Sequence, residues 1–386
     1  MTRPAEGLRV AIIYDCLFPN TTGGGERVYG RLAQLLAERG ARVDYVTRRF
    51  PADAASRPFE VVGVWSGEIA DADGIRSPVA ALRFALAVRR HLRSIRDYDL
   101  VIASALPVLT LLAARSGVRR TRTVVVGDWL EVWTWKKWRS YSGVVVGTVA
   151  RVLQHLGARA ADLDLVNSTF TAAALRRDRR SADPIVLGLL DLVDNDGTPG
   201  ERTEPPYVLY AGRHIADKRV DAIPAALAVA RERVPDLTAV IVGEGPETPA
   251  VIAASGRVGL TGVIDVAGRV GDEDLGRLLS GAAALVNPSA REGFGLIVAE
   301  AAAYGTPAVV VAGEDNASVD LVRHGETGMV APDAGPESLG GAIADVVAAG
   351  RNMRDATITA YRSDRVARSL SASVDELLER YRAIVR

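Results

Sequence analysis

The feature that most constrains this chain is an alternation. Short runs rich in β-branched residues at 9–15, 43–47, 100–104, 123–128 and 164–168 are separated by longer Ala/Leu/Arg-rich stretches such as 29–39 and 79–95. Strands spaced by helix-length segments do not pair as tight hairpins. They pair in parallel, and the helices cover the faces of the sheet. The alternation falters once, at 195–206, which reads NDGTPGERTEPP and carries no apolar stripe. It restarts with apolar runs at 207–212, 237–243, 263–268, 283–289 and 308–312. A chain of 386 residues exceeds one ordinary core. The expected fold is therefore α/β, with two Rossmann-like domains facing a central cleft. The first spans 1–195, a linker 196–206, the second 207–363, and 364–386 reads as a terminal helix free to pack back on the first domain. No clear sequence repeat relates the halves.

Composition removes several classes of function. Lys plus Arg and Asp plus Glu both number 47, so the formal net charge is zero and the overall electrostatic footprint of a nucleic-acid binder is missing. The one cysteine, Cys16, allows no disulfide within the chain. The four histidines, His91, His155, His214 and His324, lack close metal-ligand spacing, so no metal is expected. His91 and His324 read as surface residues, and His155, on an amphipathic stretch at 144–160, as a packed one. No apolar run reaches a membrane span; the longest, 144–153, is interrupted by Arg151. The expectation is a cytoplasmic protein, with peripheral contact at the inner face of the membrane left open.

Parallel α/β sheets bind ligands where strands end and helices begin. The strongest motif lies at such a place: Pro288-Ser289-Ala290-Arg291-Glu292-Gly293-Phe294-Gly295, then an apolar run to Glu300, then Gly305-Thr306-Pro307. The glycines permit close backbone approach, and free amides at a helix start attract anions or hydroxyls. Glu300 sits in LIVAEAAA, where a carboxylate needs hydrogen-bonding partners. The second motif is Gly212-Arg213, with His214 beside it and Lys218 following. Only three lysines occur, Lys136, Lys137 and Lys218. Fixed cations of this kind stabilise negative charge that develops on a leaving group. Weaker signals are Gly243-Glu244-Gly245-Pro246 and Gly268-Arg269-Val270, each after a strand run, and Thr22-Gly23-Gly24-Gly25-Glu26-Arg27 before the first helix. The last lacks both a dinucleotide fingerprint and a P-loop Lys-Ser/Thr. Finally, 127–139 packs four of five tryptophans and two lysines into a few residues. Such a cluster suits stacking on sugars, a membrane interface, or packing on a neighbouring helix.

Two glutamates in the arrangement Glu292-Gly293-Phe294-Gly295…Glu300, with Gly212-Arg213…Lys218 upstream, resemble the signature of glycosyltransferase family four, which has the GT-B fold. The resemblance implies retaining transfer from a nucleotide diphosphate sugar, a uridine nucleotide being the commoner donor, to a hydroxyl acceptor, without metal or cofactor. It implies that Arg213 and Lys218 bind the diphosphate. Glu292 and the amides of Gly293, Phe294 and Gly295 would hold the donor sugar and phosphates, and Glu300 the ribose. The glycine turn at Gly243 is similar to a turn of the family, and main-chain groups at Arg269 and Val270 would read the base. Gly24 and Gly25 would approach the donor phosphate from the first domain. Arg213, Lys218 and Glu292 are the expected catalytic set. Asp15, Asp128, Trp129, Glu131 and Lys136 are the expected acceptor side. The chain departs from the family pattern at Asp128, where many members have histidine nearby, at Arg219, where glycine often follows the lysine, and at Leu187-Gly188-Leu189-Leu190-Asp191, where the family commonly has an Asn-Gly-Val turn. A lipid-linked saccharide, a polysaccharide precursor and a small metabolite all remain open as acceptor. Rival readings are a nucleotide-sugar epimerase or hydrolase on the same fold, and a non-catalytic nucleotide-sugar-binding protein.

Overall fold

A computed structural model describes residues 4–21, 23–51, 56–69, 77–95, 97–118, 122–193, 195 and 197–386. Thr22 of the glycine motif and Asp196 of the expected linker lie outside the described residues. The chain divides into two compact units, one of Met1–Leu192 with Arg368–Arg386, the other of Val193–Ala367.

The first unit contains strands β1 (Arg9–Ile13), β2 (Arg42–Arg48), β3 (Glu60–Trp65), β4 (Leu100–Ser104), β5 (Val124–Trp129), β6 (Leu163–Val166) and β7 (Ile185–Val186). All pair in parallel, in the order β3-β2-β1-β4-β5-β6-β7. Helices α1 (Gly24–Glu38), α2 (Pro78–Ser94), α3 (Val108–Gly117), α4 (Trp135–Gly157) and α5 (Thr169–Asp178) connect them. The centre of β4 is buried on both faces, as a strand between helical layers must be.

The second unit repeats the plan with β8 (Tyr207–Ala211), β9 (Thr238–Val242), β10 (Ile264–Gly268), β11 (Ala284–Asn287), β13 (Ala308–Val311) and β15 (Gly328–Ala331), in the order β10-β9-β8-β11-β13-β15. Two further short strands, β12 (Arg291–Glu292) and β14 (Asp315–Asn316), pair with each other. Its helices are α6 (Ile223–Arg233), α7 (Thr248–Arg257), α8 (Asp272–Gly281), α9 (Leu296–Ala303) and α10 (Pro336–Arg365). The last helix, α11 (Leu370–Val385), belongs to the first unit. Asp191 accepts from the amides of Leu370 and Ser371 at its start, and Arg39 at the end of α1 pairs with Asp375 on it. Gly188 is needed there, because a Cβ would lie 2.2 Å from the Arg368 carbonyl carbon.

In each sheet the order reverses beside the first strand, between β1 and β4 and between β8 and β11. Loops leaving those two strands on opposite courses open a crevice at their carboxyl ends. In the second unit the Arg213–Lys218 loop follows β8 and the Glu292 loop follows β11, so the two strongest motifs meet at one switch point.

Candidate donor-binding site

The β8 loop is shaped by packing beneath it. Tyr210 donates its hydroxyl to the Arg213 carbonyl at 3.0 Å, while the Arg213 side chain stays exposed. His214 is fully buried, with Nδ1 2.9 Å from Thr248 Oγ1. Its amide donates to Glu244, and its carbonyl accepts from Glu247. His214 therefore anchors the turn after β9, and burial lowers its pKa. Gly243 (φ 118°) is part of the same close fit: a Cβ would lie 1.9 Å from the Gly212 carbonyl oxygen. Arg219 keeps the left-handed conformation expected of a glycine, at φ 48° and ψ 39°, and is the only described non-glycine residue with positive φ.

Three contacts stitch this loop to the one after β11. The Ala290 amide donates to the Asp217 carbonyl at 2.8 Å. Arg291 pairs with the Asp217 carboxylate at 2.8 Å. Lys218 donates to Glu292, both side chains being largely shielded. Glu292 is further fixed by the β12–β14 pairing, which sets it opposite Asn316. Asn316 is wholly buried and donates to the Ser289 and Val311 carbonyls at 3.0 and 2.8 Å. Ser289 Oγ lies 3.3 Å from the Glu292 carboxylate. Asp217, Ser289, Arg291 and Asn316 thus hold the site together. Ser289 and Arg291 stood within the strongest motif and Asp217 just before Lys218, but Asn316 had no local signal, being far along the chain.

Gly295 caps α9 with φ 91°, and a Cβ there would meet Ser318 Cβ at 2.6 Å. Gly293 and Phe294 precede it half-buried, and Glu300 is buried on α9. Arg269, after β10, pairs at 2.6 Å with Glu244; both are exposed, so the pair adds little stability. Val270 beside it is half-buried.

In the first unit Gly24 and Gly25 open α1, and Tyr14 at the end of β1 stacks on Tyr29 with centroids 4.2 Å apart. Asp15 is 4% exposed. Asp128 is 1% exposed, and its carboxylate oxygens have no hydrogen bond of good geometry among the described residues. The buried Tyr29 hydroxyl and Ser104 lie close by. Burial pushes the Asp128 carboxyl up to about 6, with Tyr29 pulling weakly the other way.

The tryptophan cluster is divided: Trp129 and Trp133 are interior, Trp138 is half-buried and Trp135 is exposed. Trp129 is 1% exposed and donates its indole N–H to Asp164 at 2.9 Å, so its ring is core and offers no face to an acceptor. Trp133 is buried, donates to Glu131 and tilts against Trp138. Lys137 lies 5.2 Å above the Trp133 ring, while Lys136 is exposed. Of the three uses open to the cluster, Trp133 and Trp138 show packing, on each other and on Gln154 of α4. His155, expected to be packed, is exposed; His324 is exposed, and His91 is half-buried beside Tyr98.

Comparison with known proteins agrees with this architecture. A family profile described as Glycosyl transferases group 1 matches residues 194–364, and one described as Glycosyltransferase Family 4 matches residues 22–187. The chain belongs to the family-four, group 1 glycosyltransferases. The glycogen synthase of Mycobacterium tuberculosis is 34% identical over 167 residues, 43% of this chain and 38% of that protein. The D-inositol 3-phosphate glycosyltransferase of Jonesia denitrificans is 30% identical over 172 residues, 43% of this chain and 37% of that protein. The matches thus span little more than a third of these relatives' own lengths. Among solved structures, sucrose-phosphate synthase from Thermosynechococcus elongatus superposes with a TM-score of 0.80 at 19% identity, covering 98% of this chain and 99% of that one. HepE of Anabaena, solved in complex with UDP, gives 0.70 at 17% identity, covering 97% and 100%. The fold is GT-B.

Proposed function

We propose that the chain is a retaining glycosyltransferase that moves a sugar from a nucleotide diphosphate, a uridine nucleotide by preference, to an acceptor hydroxyl. One observation carries the reading. At the β8/β11 switch point, Lys218 is held against Glu292 with Arg213 exposed on the same loop. Two cations and a carboxylate on neighbouring loops suit a diphosphate and the sugar it carries.

In the proposed reaction the bond from the anomeric carbon to the β-phosphate oxygen breaks as the acceptor oxygen bonds to that carbon on the same face. The acceptor's proton passes to the departing phosphate oxygen. Arg213 and Lys218 neutralise charge on the diphosphate as it leaves, without a metal, which favours the transition state over the bound donor. Glu292, Gly293, Phe294 and Gly295 hold the sugar and phosphates, Glu300 the ribose, and Arg269 with Val270 the base. On the first unit Gly24 and Gly25 serve the donor phosphate, while Asp15, Glu131 and Lys136 remain acceptor-side candidates; Asp128 is buried like Trp129 and offers its carboxylate to no acceptor.

A thermal-shift panel of nucleotide sugars identifies the donor, since a ligand that binds only the folded chain raises its melting temperature. The expected result is stabilisation by one uridine nucleotide sugar, abolished in Arg213→Ala. Transfer with inversion at the anomeric carbon, or unimpaired transfer by Glu292→Ala, would overturn the assignment.

A further inference from the structure

Helix α4 is inverted. Its chain breaks at Gly143 (φ 75°), so that 135–142 and 144–157 are two helical pieces. The buried residues of the second piece are Gly147, Gln154 and Gly157. Gly147 lets the pieces close together, since a Cβ would lie 2.6 Å from the Trp138 carbonyl oxygen. Gln154 accepts from the Trp133 amide and the Trp138 indole and donates to the Trp133 carbonyl and Asp178. The inward face is therefore small and polar. The outward face is a row of aliphatic side chains at helical spacing: Val145 (76% exposed), Val149 (55%), Val152 (53%) and Leu156 (51%), flanked by Val144 and Val146. A soluble surface helix has the opposite polarity. A contiguous apolar row of this size marks a contact surface.

The charge that α4 itself carries is of one sign. Between Glu131 and Asp162 the sequence holds Lys136, Lys137, Arg139, Arg151 and Arg159 and no acidic residue. Lys136, Arg139 and Arg159 are exposed. Arg151 pairs with Asp178, which ties the end of α5 alongside, and α5 brings the exposed Arg176 and Arg177. Two copies meeting on this face would oppose cation to cation. An anionic lipid surface matches both features, because apolar side chains enter the interface while cations meet the headgroups. No described helix is long and apolar enough to cross a membrane, so α4 would lie in the interface plane.

We infer that the aliphatic face of α4 is a docking surface for an anionic lipid bilayer. The inference rests on α4 and stands apart from the donor assignment.

The test is sedimentation of the full chain with phosphatidylcholine vesicles, with and without phosphatidylglycerol, at low and high salt. Binding that requires phosphatidylglycerol and weakens with salt is expected. Val149→Glu with Val152→Glu should lower vesicle affinity by about tenfold or more, since each substitution puts a charge where an apolar side chain enters the interface. Both sites are exposed, so the melting temperature should not fall, and stabilisation by the nucleotide sugar should persist. Lys136→Glu with Arg139→Glu should weaken binding while leaving the valine row intact. No sedimentation with anionic vesicles, or binding indifferent to both double variants, would overturn the inference. So would a dimer in light scattering that Val149→Glu with Val152→Glu dissociates, because the face would then join two copies.

Discussion

Lys218 donates directly to Glu292 across the two loops that leave the neighbouring strands β8 and β11. The site thus holds its cation and its carboxylate in mutual neutrality. Under the proposed function, a donor entering there would exchange this contact for phosphate on the lysine and hydroxyl on the glutamate. Residues that act as a unit give non-additive losses. Lys218→Ala and Glu292→Ala should each reduce kcat/KM for sugar transfer about 10²- to 10³-fold, the size typical of one preorganised transition-state contact. The double variant should lose little more than the worse single one. Steady-state transfer assays on the three variants check this, and strictly multiplicative losses would mean the two side chains work independently.

Asp128 should make stability fall as pH rises. Its carboxyl titrates near 6 in the folded chain against an ordinary 3.8, because burial disfavours the ionised form. Between those values the folded state keeps a proton that the unfolded state has released. Stability is therefore lost through the window from about pH 4 to 6, and the loss is complete above it. Asp128→Asn should raise stability by about 2–3 kcal/mol near pH 8 and by almost nothing below pH 4. Urea unfolding of both proteins across this range measures the difference; a gain independent of pH would assign it to packing instead.

The sequence carried the strands that matter for the site, because β-branched runs between helical segments leave little choice of sheet. It carried less at the margins. The two-residue β7 is too short to show a period, and β15, Gly328–Ala331, has glycine and methionine where a strand is usually read from valine and isoleucine. It also hid which side of α4 faces inward. Val145, Val149, Val152 and Leu156 have the spacing of a core stripe, and only the bonds made by Gln154 reveal that the other face is the buried one. Trp129 misled for a related reason: a tryptophan beside a strand end looks available until its indole is seen on Asp164. The pairing of Lys218 with Glu292 joins residues far apart in sequence, and it follows from strand order rather than from either motif.

Arg219 pays a conformational penalty that glycine would not. A non-glycine residue in the left-handed region costs about 1 kcal/mol or more. Arg219 is exposed, so a substitution removes little packing. Arg219→Gly should raise the unfolding free energy by up to about 1 kcal/mol, reduced by the extra freedom glycine has when unfolded. Arg219→Val should lower it, because a β-branched residue tolerates this region worse. Thermal melts of both variants order them against the parent, and the order Gly above Arg above Val is expected.

Arg354 should be the most sensitive surface-type residue in the second unit, because it is buried as a structural clamp. It is 8% exposed on α10 and donates to the carbonyls of Ala282, Gly200 and Ser280 at 2.7, 3.0 and 2.9 Å, and to Thr306 Oγ1 at 3.2 Å. These oxygens belong to the segment before β8, the end of α8 with the residue after it, and the turn after α9. One guanidinium therefore fastens three separate stretches of chain to α10. Its planar fork supplies several donors at fixed angles, which a lysine cannot match. Arg354→Met keeps most of the side-chain volume but leaves those buried carbonyls without their donor. The expected loss is about 3–5 kcal/mol. Arg354→Lys should recover only part of it, since one ammonium cannot reach all three stretches. Denaturant unfolding of the two variants measures both values, and a loss under about 1 kcal/mol for Arg354→Met would show that water or backbone adjustment replaces the clamp.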